Sequence, residues 1–270
     1  MKCLNCDYEL QGRYCAQCGQ RHDPHAPTAG HLLAEAAEGL THGDSRLWLT
    51  LRYLLTQPGF LTVEFFAGRR ARFLPPVRLY LVVSVVFFLL LALLPGSSDS
   101  AIEVDQGPQS CAELTFNGPL AAWFEPKLRA ACERTMTDGG EALGAAFLRN
   151  IPKAMFVLLP LFAFLMLPFF LRPRRLYAEH AIFLIHTHTA CFAVLSGALL
   201  IGLLLPQRFD GWLSFVVVAY LLWYVFQGMR RVYGGSRTIS VLRFLTLGLL
   251  YLFCAGGVLA FTGLAAALEL

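Results

Sequence analysis

The sequence predicts an all-α integral membrane protein with about five transmembrane helices, preceded by a small cysteine-rich module and an amphipathic cytoplasmic segment. Three observations predict this fold class. The 270 residues are 56% hydrophobic and only 15% charged, whereas a soluble domain carries about 25% charged residues. The apolar residues fall into blocks that are long enough to cross a hydrocarbon core, which takes about 20 residues as a helix. Four cysteines near the N-terminus have the spacing of a metal site.

Five apolar blocks are predicted to span the membrane: Val77–Pro95, Ala154–Leu171, Ala181–Leu205, Trp212–Met229 and about Ser240–Ala267. Polar and apolar residues do not alternate in these blocks, so helices are expected rather than the strands of a barrel. The second block contains Pro160 and Pro168, and the last block is long, so either of them could be re-entrant. The chain opens on a polar segment instead of a signal peptide, and the first span is expected to direct insertion.

Basic residues flank the blocks asymmetrically and predict the topology. They stand before the first block, between the second and third, and between the fourth and fifth: Arg69, Arg70, Arg72, Arg78, Arg172, Arg174, Arg175, Arg230, Arg231 and Arg237. The positive-inside rule then places the N-terminus in the cytoplasm and the C-terminus outside. Residues 96–152 become an external loop domain within the bundle, which is predicted over residues 77–270. Nucleic-acid binding is disfavoured, since no basic folded domain accompanies the arginines.

The N-terminal cysteines form a C-x2-C-x8-C-x2-C pattern in "CLNCDYELQGRYCAQCGQ", comprising Cys3, Cys6, Cys15 and Cys18. Four thiolates at this spacing can converge on one tetrahedral zinc ion, although iron satisfies the same ligands. Disulfides are the alternative, and a cytoplasmic location disfavours them. We therefore expect a zinc ribbon over residues 1–22. Because four thiolates leave no open coordination position, the zinc is expected to be structural.

The other four cysteines are assigned by compartment. Cys111 and Cys132 lie in the segment predicted to be external, where an oxidising environment favours a disulfide between them. Cys191 and Cys254 lie inside predicted spans, where a free thiol behaves as a small apolar group. We assign no role to this second pair.

Residues 23–76 are predicted to form a linker followed by amphipathic interfacial helices. The first helix carries leucines at helical spacing, at positions 47, 51, 54 and 55, and ends at Pro58 and Gly59. A second short helix, Leu61–Ala67, is expected to be closed by Gly68. Two placements remain open: a helix that lies on the cytoplasmic membrane surface, or one that packs against the transmembrane bundle.

Two motifs resemble those of a widespread group of uncharacterised bacterial membrane proteins with an N-terminal zinc ribbon. The resemblance lies in the ribbon, in "TQPGFLTVEFFAGRRARFLPP" and in "EHAIFLIHTH". Its matching positions are Pro58, Gly59, Glu64, Gly68, Arg70, Pro76, Glu179, His180, Phe183, His186 and His188. The resemblance implies this architecture and a location in the bacterial inner membrane. It implies no activity and no catalytic residue.

An unusual polar cluster lies around the start of the third block: Glu179 and His180 just before it, and His186 and His188 within it. At about 100° per residue, the four side chains cannot all point at one spot on a helix. Three interpretations remain open for this possible intramembrane site. The imidazoles can be neutral and hydrogen-bonded to polar residues of other spans, such as Tyr80, Ser84, Tyr224 or Gln227. They can instead ligate a metal or haem with help from a second helix, or bind a proton or solute in a transport path.

The function expected from these features is that of a scaffold or regulatory protein. Its zinc ribbon and interfacial helix would engage a protein partner on the cytoplasmic side of the bilayer. The alternative is a small transporter, or a ligand- or proton-binding protein, that uses the histidine site. An enzyme is unsupported, because the sequence contains no nucleophile elbow, no H-E-x-x-H motif and no phosphate-binding glycine loop.

Overall fold

The computed structural model describes residues 1–21, 46–94, 111, 121–138, 140–171 and 175–269. The predicted linker up to residue 45, much of the predicted external loop, and the predicted basic residues Arg172 and Arg174 lie outside the described residues. In the described part, the chain forms helices α1 (Arg46–Thr56), α2 (Phe60–Phe66), α3 (Pro76–Leu93), α4 (Ala121–Asp138), α5 (Glu141–Met166), α6 (Tyr177–Gly202), α7 (Asp210–Tyr233) and α8 (Arg237–Glu269).

Five of these helical segments are long and apolar enough to cross a membrane, which is consistent with a multi-pass membrane protein. They are Pro76–Leu93, Glu141–Phe169, Tyr177–Gly202, Gln207–Tyr233 and Arg237–Leu268. Each coincides with one of the five predicted blocks, so the predicted helical membrane architecture is confirmed at this level. The described residues form no strands beyond two isolated bridges, Lys2 with Glu9 and Tyr14 with Arg21.

The second spanning helix extends beyond the apolar block that predicted it. The prediction began at Ala154, where the strongly apolar run begins, but α5 begins at Glu141 and continues through Pro152 and Pro160. The added turns are rich in alanine, which favours a helix without adding much hydropathy. The predicted loop domain over residues 96–152 therefore contains these turns and all of α4.

The chain divides into two compact units. The first comprises residues 1–90 and 163–248, and the second comprises residues 91–162 and 249–270. Within the second unit, a disulfide joins Cys111 to Cys132, and the latter lies on α4. The rings of Phe162 and Tyr251 meet edge to face at 5.1 Å in the same unit. The cysteine module and the histidines belong to the first unit.

Helices α1 and α2 form a helical hairpin, residues 46–66, whose turn is set by Pro58 and Gly59. Proline cannot continue α1 because it lacks an N–H group and restricts the preceding residue. Gly59 adopts a φ of +72°, a left-handed conformation that glycine reaches without steric cost. Gly68 ends the hairpin region with a φ of +79°, and the Arg69 N–H donates to the Glu64 carbonyl at 3.0 Å.

The hairpin packs against α6 and α7, which is the second of the two placements considered for it. The Tyr224 hydroxyl donates to the Leu54 carbonyl at 2.7 Å, and the Tyr220 hydroxyl donates to the Leu55 carbonyl at 2.5 Å. These bonds satisfy carbonyls at the end of α1 that have no partner within the helix. At the turn, Gly59 approaches so closely that a Cβ atom there would lie 2.8 Å from the Gly228 carbonyl oxygen. The hairpin is therefore part of the helix bundle in this unit.

Candidate functional site

The four N-terminal cysteines converge on one point. Their sulfur atoms all lie within 4.8 Å of one another, with Cys3 Sγ 3.6 Å from Cys18 Sγ and Cys6 Sγ 3.5 Å from Cys15 Sγ. A tetrahedral site with Zn–S bonds of about 2.3 Å places its sulfurs about 3.8 Å apart. The cluster can therefore hold a metal ion, and its geometry is compatible with zinc.

Each pair of cysteines lies in a knuckle, and the two knuckles repeat the same backbone pattern. The Cys3 N–H donates to the Tyr8 carbonyl at 2.8 Å, and the Cys15 N–H donates to the Gln20 carbonyl at 2.9 Å. The residue after the last cysteine of each knuckle has a positive φ, namely 59° at Asp7 and 70° at Gly19. Glycine is suited to this conformation and aspartate tolerates it better than most residues. The sequence thus folds both pairs in the same way.

The cysteine module is held against the segment that follows α2, residues 68–71, chiefly by Gln20. Its side-chain Nε2 donates to the Gly68 carbonyl at 2.7 Å, and its Oε1 accepts from the N–H groups of Arg70 and Ala71, each at 3.1 Å. Leu4 packs on Gly68 so closely that a Cβ atom at Gly68 would lie 2.7 Å from Leu4 Cδ1. The module is thereby docked on the hairpin region through polar and apolar contacts.

Beneath the module, Glu64 and Arg69 form a bidentate ion pair in which Arg69 Nε donates to Glu64 Oε2 at 2.6 Å. The Arg69 guanidinium lowers the pKa of the Glu64 carboxyl below its usual range by hydrogen bonding, against an opposing effect of burial. Asp7 of the first knuckle adds a favourable electrostatic interaction with Arg69. The pair ties the end of α2 to the segment on which the module is docked.

His186 of α6 is covered by α2. Its Nδ1 lies 3.0 Å from Thr62 Oγ1, and both side chains are buried. Thr62 is not among the partners predicted for the histidines, and the predicted partner Tyr224 donates to α1 instead. A hydroxyl can donate or accept, so this bond suits either tautomer of a neutral imidazole. The interpretation of His186 as a neutral, hydrogen-bonded imidazole is therefore supported by a specific partner, Thr62.

His180 lies in an aromatic cluster at the start of α6. Its Nδ1 is 2.8 Å from the hydroxyl of Tyr233, whose ring stacks on Phe170 with centroids 4.0 Å apart. The guanidinium of Arg243 lies over the Phe170 ring, 4.7 Å from its centroid. His180 is fully buried, and its Nε2 has no hydrogen-bond partner among the described residues. One nitrogen of this imidazole is thus left without a described partner.

His188 and Glu179 make local contacts. The Nδ1 of His188 lies 2.9 Å from the Leu184 carbonyl one turn earlier in the same helix. Glu179 accepts from Arg175 at 2.8 Å and from the Leu176 N–H at 2.7 Å, and so caps the N-terminus of α6. The four predicted site residues therefore do not converge on one point, as the helical wheel indicates. Among the described residues, the cysteines are the one set of three or more His, Cys, Asp or Glu side chains close enough to share a metal.

A double-mutant cycle on His186 and Thr62 tests their contact. We expect Thr62→Val and His186→Leu each to destabilise the protein, and the double variant to lose less than the sum. The coupling should be about 0.6 to 1.7 kcal/mol, as for interhelical hydrogen bonds in membranes. Thermal unfolding in detergent measures it. His186→Gln keeps a donor and an acceptor and should change stability by about 1 kcal/mol.

His188→Leu is the matched control for that cycle, because its Nδ1 contacts the Leu184 carbonyl of its own helix. It should be additive with Thr62→Val. Equal coupling of Thr62 to both histidines would contradict the pairing. Retained folding together with loss of the cellular phenotype in His186→Gln would show that imidazole chemistry is needed, which the hydrogen bond alone does not require.

The contacts that build the site include residues that the sequence analysis did not select. Gln20 follows the last cysteine by two positions, and its partners lie about 50 residues further along the chain. Thr62 and Tyr233 looked like ordinary helical residues. The one available signal was the pair of histidines in an apolar run, which required polar partners from other helices without identifying them.

Residues 44–88 match the sequence model of a family described as "Protein of unknown function (DUF3667)". The matched segment comprises the helical hairpin, residues 67–75 and most of α3. This part of the chain thus carries an uncharacterised domain, and it contains Gly59, Thr62 and the segment that Gln20 contacts. Comparison with curated proteins and with solved structures finds no match.

Proposed function

We propose that the protein is a scaffold or regulator of the bacterial inner membrane, with a structural zinc ion in its N-terminal module. In this proposal, the metal-bound module engages a cytoplasmic protein partner, and its docking on the hairpin connects that partner to the membrane helices. The observation that carries the proposal is the attachment of the cysteine module through Gln20 to residues 68–71, which follow a hairpin that contacts His186. The resemblance to zinc-ribbon membrane proteins of bacteria supports the location.

The hairpin is proposed to dip into the bilayer from the cytoplasmic side. Helix α7 has 24 residues, or about 36 Å, against a hydrocarbon thickness of about 30 Å. Tyr220, which binds the end of α1, lies about 20 Å from Tyr233 at the C-terminal end of α7, at 1.5 Å per residue. A contact at that depth would lie below the lipid headgroups. The buried carbonyls of α1 meet tyrosine hydroxyls there, as a re-entrant segment requires.

Basic residues of the second and third predicted clusters both contact the hairpin, and this supports a cytoplasmic N-terminus. Arg175 donates to the Val232 carbonyl at 3.3 Å and lies 5.9 Å from the ring of Phe66. Arg231 donates to the Pro58 carbonyl at 3.1 Å. Arg175 just before α6 and Arg231 at the end of α7 are therefore both next to the hairpin, as expected for helix ends on one side of a membrane.

Reporter fusions test this topology. We expect a fusion after Arg175 to report a cytoplasmic location and a fusion after Leu270 to report an external one, because three of the five apolar helices lie between these two positions. Alkaline phosphatase and green fluorescent protein fusions in matched pairs would measure both positions. The same location for both fusions would mean that one of the five apolar helices does not cross.

The exposed face of the cysteine module is the proposed contact for the protein partner. Tyr8 and Tyr14 are 44% and 62% exposed on a segment of 21 described residues. Exposed aromatic side chains on a rigid module are suited to protein contacts. A photo-crosslinking residue at position 14, introduced into the full-length protein in its own membranes, should give an adduct of defined mass.

That adduct should disappear in the Cys15→Ser/Cys18→Ser variant, because the face is organised only in the metal-bound module. A crosslinker at Trp212, which is 69% exposed at the start of α7, is the control and should not give the same adduct. An adduct at position 14 that survives loss of the metal, or that also forms at Trp212, would contradict the proposal.

A second candidate, a small transporter or a ligand- or proton-binding protein, is favoured by one observation. The Nε2 of His180 is buried without a described partner, and a buried ionisable group in a membrane helix suggests a functional site. The two proposed functions should respond differently to the loss of His180 and to the loss of the cysteine module. A scaffold should tolerate His180→Gln and fail without the cysteine module, whereas a transporter should show the reverse in a cellular phenotype assay.

A further inference from the structure

Gln20 is a bridge whose backbone belongs to the metal module and whose side chain belongs to the hairpin region. Its carbonyl accepts from the Cys15 N–H at 2.9 Å, which closes the second knuckle. Its side-chain amide makes three hydrogen bonds to residues 68–71. A glutamine amide has two donors and two acceptor positions, so three of its four hydrogen-bonding positions are used in this contact.

The position of Gln20 depends on the cysteine cluster. A segment of this size cannot bury a core of its own, so metal binding and folding are one equilibrium in such modules. A metal bound by Cys15 and Cys18 would fix the turn between them and hence the direction of the Gln20 side chain. Without the metal, the knuckle has only a few backbone hydrogen bonds to maintain that direction.

Residues 68–71 in turn position α2. The Arg69 N–H donates to the Glu64 carbonyl, and the Arg69 guanidinium forms the ion pair with the Glu64 side chain. Two residues before Glu64, Thr62 contacts His186 of α6. A displacement of residues 68–71 could therefore reach His186 through α2. The two contacts involved are the one between Arg69 and Glu64 and the one between Thr62 and His186.

We propose that Gln20 is a metal-dependent clasp: the metal-bound cysteine module holds residues 68–71, and loss of the metal releases them and loosens α2 from His186. The inference rests on the proposed metal binding and adds a regulatory response to it. The device would couple the availability of a thiolate-binding divalent ion in the cytoplasm to the packing of the hairpin in the membrane. Each step of this route is a contact between named side chains and backbone groups, which gives the contiguous network that such a coupling would use.

Hydrogen exchange of the full-length protein in lipid nanodiscs tests the clasp, with zinc and a zinc chelator as the only additions. The Arg70 and Ala71 amides report directly, since both donate to Gln20 Oε1. Chelation should speed their exchange by about tenfold, as expected for loss of a hydrogen bond that limits local opening. Peptides from α2 should respond in the same direction.

Gln20→Ala separates the clasp from metal binding. We expect this variant to retain its metal and still exchange rapidly at Arg70 and Ala71, with no further response to the chelator. Gln17→Ala is the matched control, because Gln17 is exposed in the same knuckle and its backbone is preserved. It should behave like the wild type at both amides.

Four outcomes would overturn the inference. If chelation removes the metal and exchange at residues 68–71 does not change, the clasp is overturned. The proposed metal binding by the cysteines would still stand. Slow exchange at these amides in Gln20→Ala, or equal effects of Gln17→Ala and Gln20→Ala, would also overturn the clasp. A purified chain that neither contains nor binds zinc would overturn both the clasp and the metal-bound module of the proposed function.

Discussion

Replacing Gly59 by alanine is expected to undock the hairpin and lower stability by about 2 to 5 kcal/mol. A left-handed conformation costs a non-glycine residue about 1 to 2 kcal/mol, and overpacking adds about 1 to 3 kcal/mol. Gly59 incurs both costs, since its φ is +72° and an added Cβ would lie 2.8 Å from the Gly228 oxygen and 3.0 Å from the Gly228 Cα. Thermal unfolding in detergent would measure the loss.

Gly228→Ala is the control for this interface. It would place a Cβ at ordinary contact distances of 3.5 to 3.8 Å on the other side of the same contact, so it should change stability by less than about 0.5 kcal/mol. A loss in Gly59→Ala no larger than the roughly 1 to 2 kcal/mol of the left-handed conformation alone would contradict the close backbone contact.

The Cys15→Ser/Cys18→Ser variant is expected to reduce the bound metal from about one ion per chain to background. Two thiolates cannot complete the tetrahedral site, and the binding free energy is also the folding free energy of such a module, about 10 to 16 kcal/mol in zinc-finger peptides. The N-terminal segment should become sensitive to protease while the membrane helices remain inserted. Metal analysis and limited proteolysis of the purified protein would measure both effects.

Cys254→Ser is the matched control, because this thiol is free and lies in α8. It should retain the metal and the protease resistance of the wild type. Metal retained at full stoichiometry in the double cysteine variant would place the ion elsewhere in the chain, with the histidines of α6 as the next candidates to examine by substitution.

The helices were predictable because their signal is contained within each segment. An apolar block of sufficient length specifies a membrane helix whatever its neighbours are. The start of α5 was not predictable in this way, since its first turns are less apolar and the helix continues through Pro152. The helix therefore begins at Glu141, whereas the strongly apolar run begins only at Ala154.

The site was predictable only where its pattern is local. The cysteine spacing indicated the cluster, and the helical wheel indicated that the histidines of α6 diverge. The contact between Thr62 and His186 joins residues 124 positions apart, and no periodicity reports which element covers a given face. The role of Gln20 was also not predictable from local sequence, because its side-chain partners lie in the distant segment 68–71.

The long separation between the hairpin and its binding surface has a consequence for biosynthesis. The hairpin leaves the ribosome before any of the spanning helices, yet Leu54 and Pro58 bind residues of α7 that follow them by 170 and 173 positions. At about 5 to 20 residues per second, the hairpin waits roughly 10 to 30 seconds for that surface. During this interval, the leucines of α1 are accessible to chaperones and to the membrane surface. Insertion of α7 is therefore the event that ends this exposure, and truncation of the nascent chain before α7 should leave the hairpin a substrate for proteases.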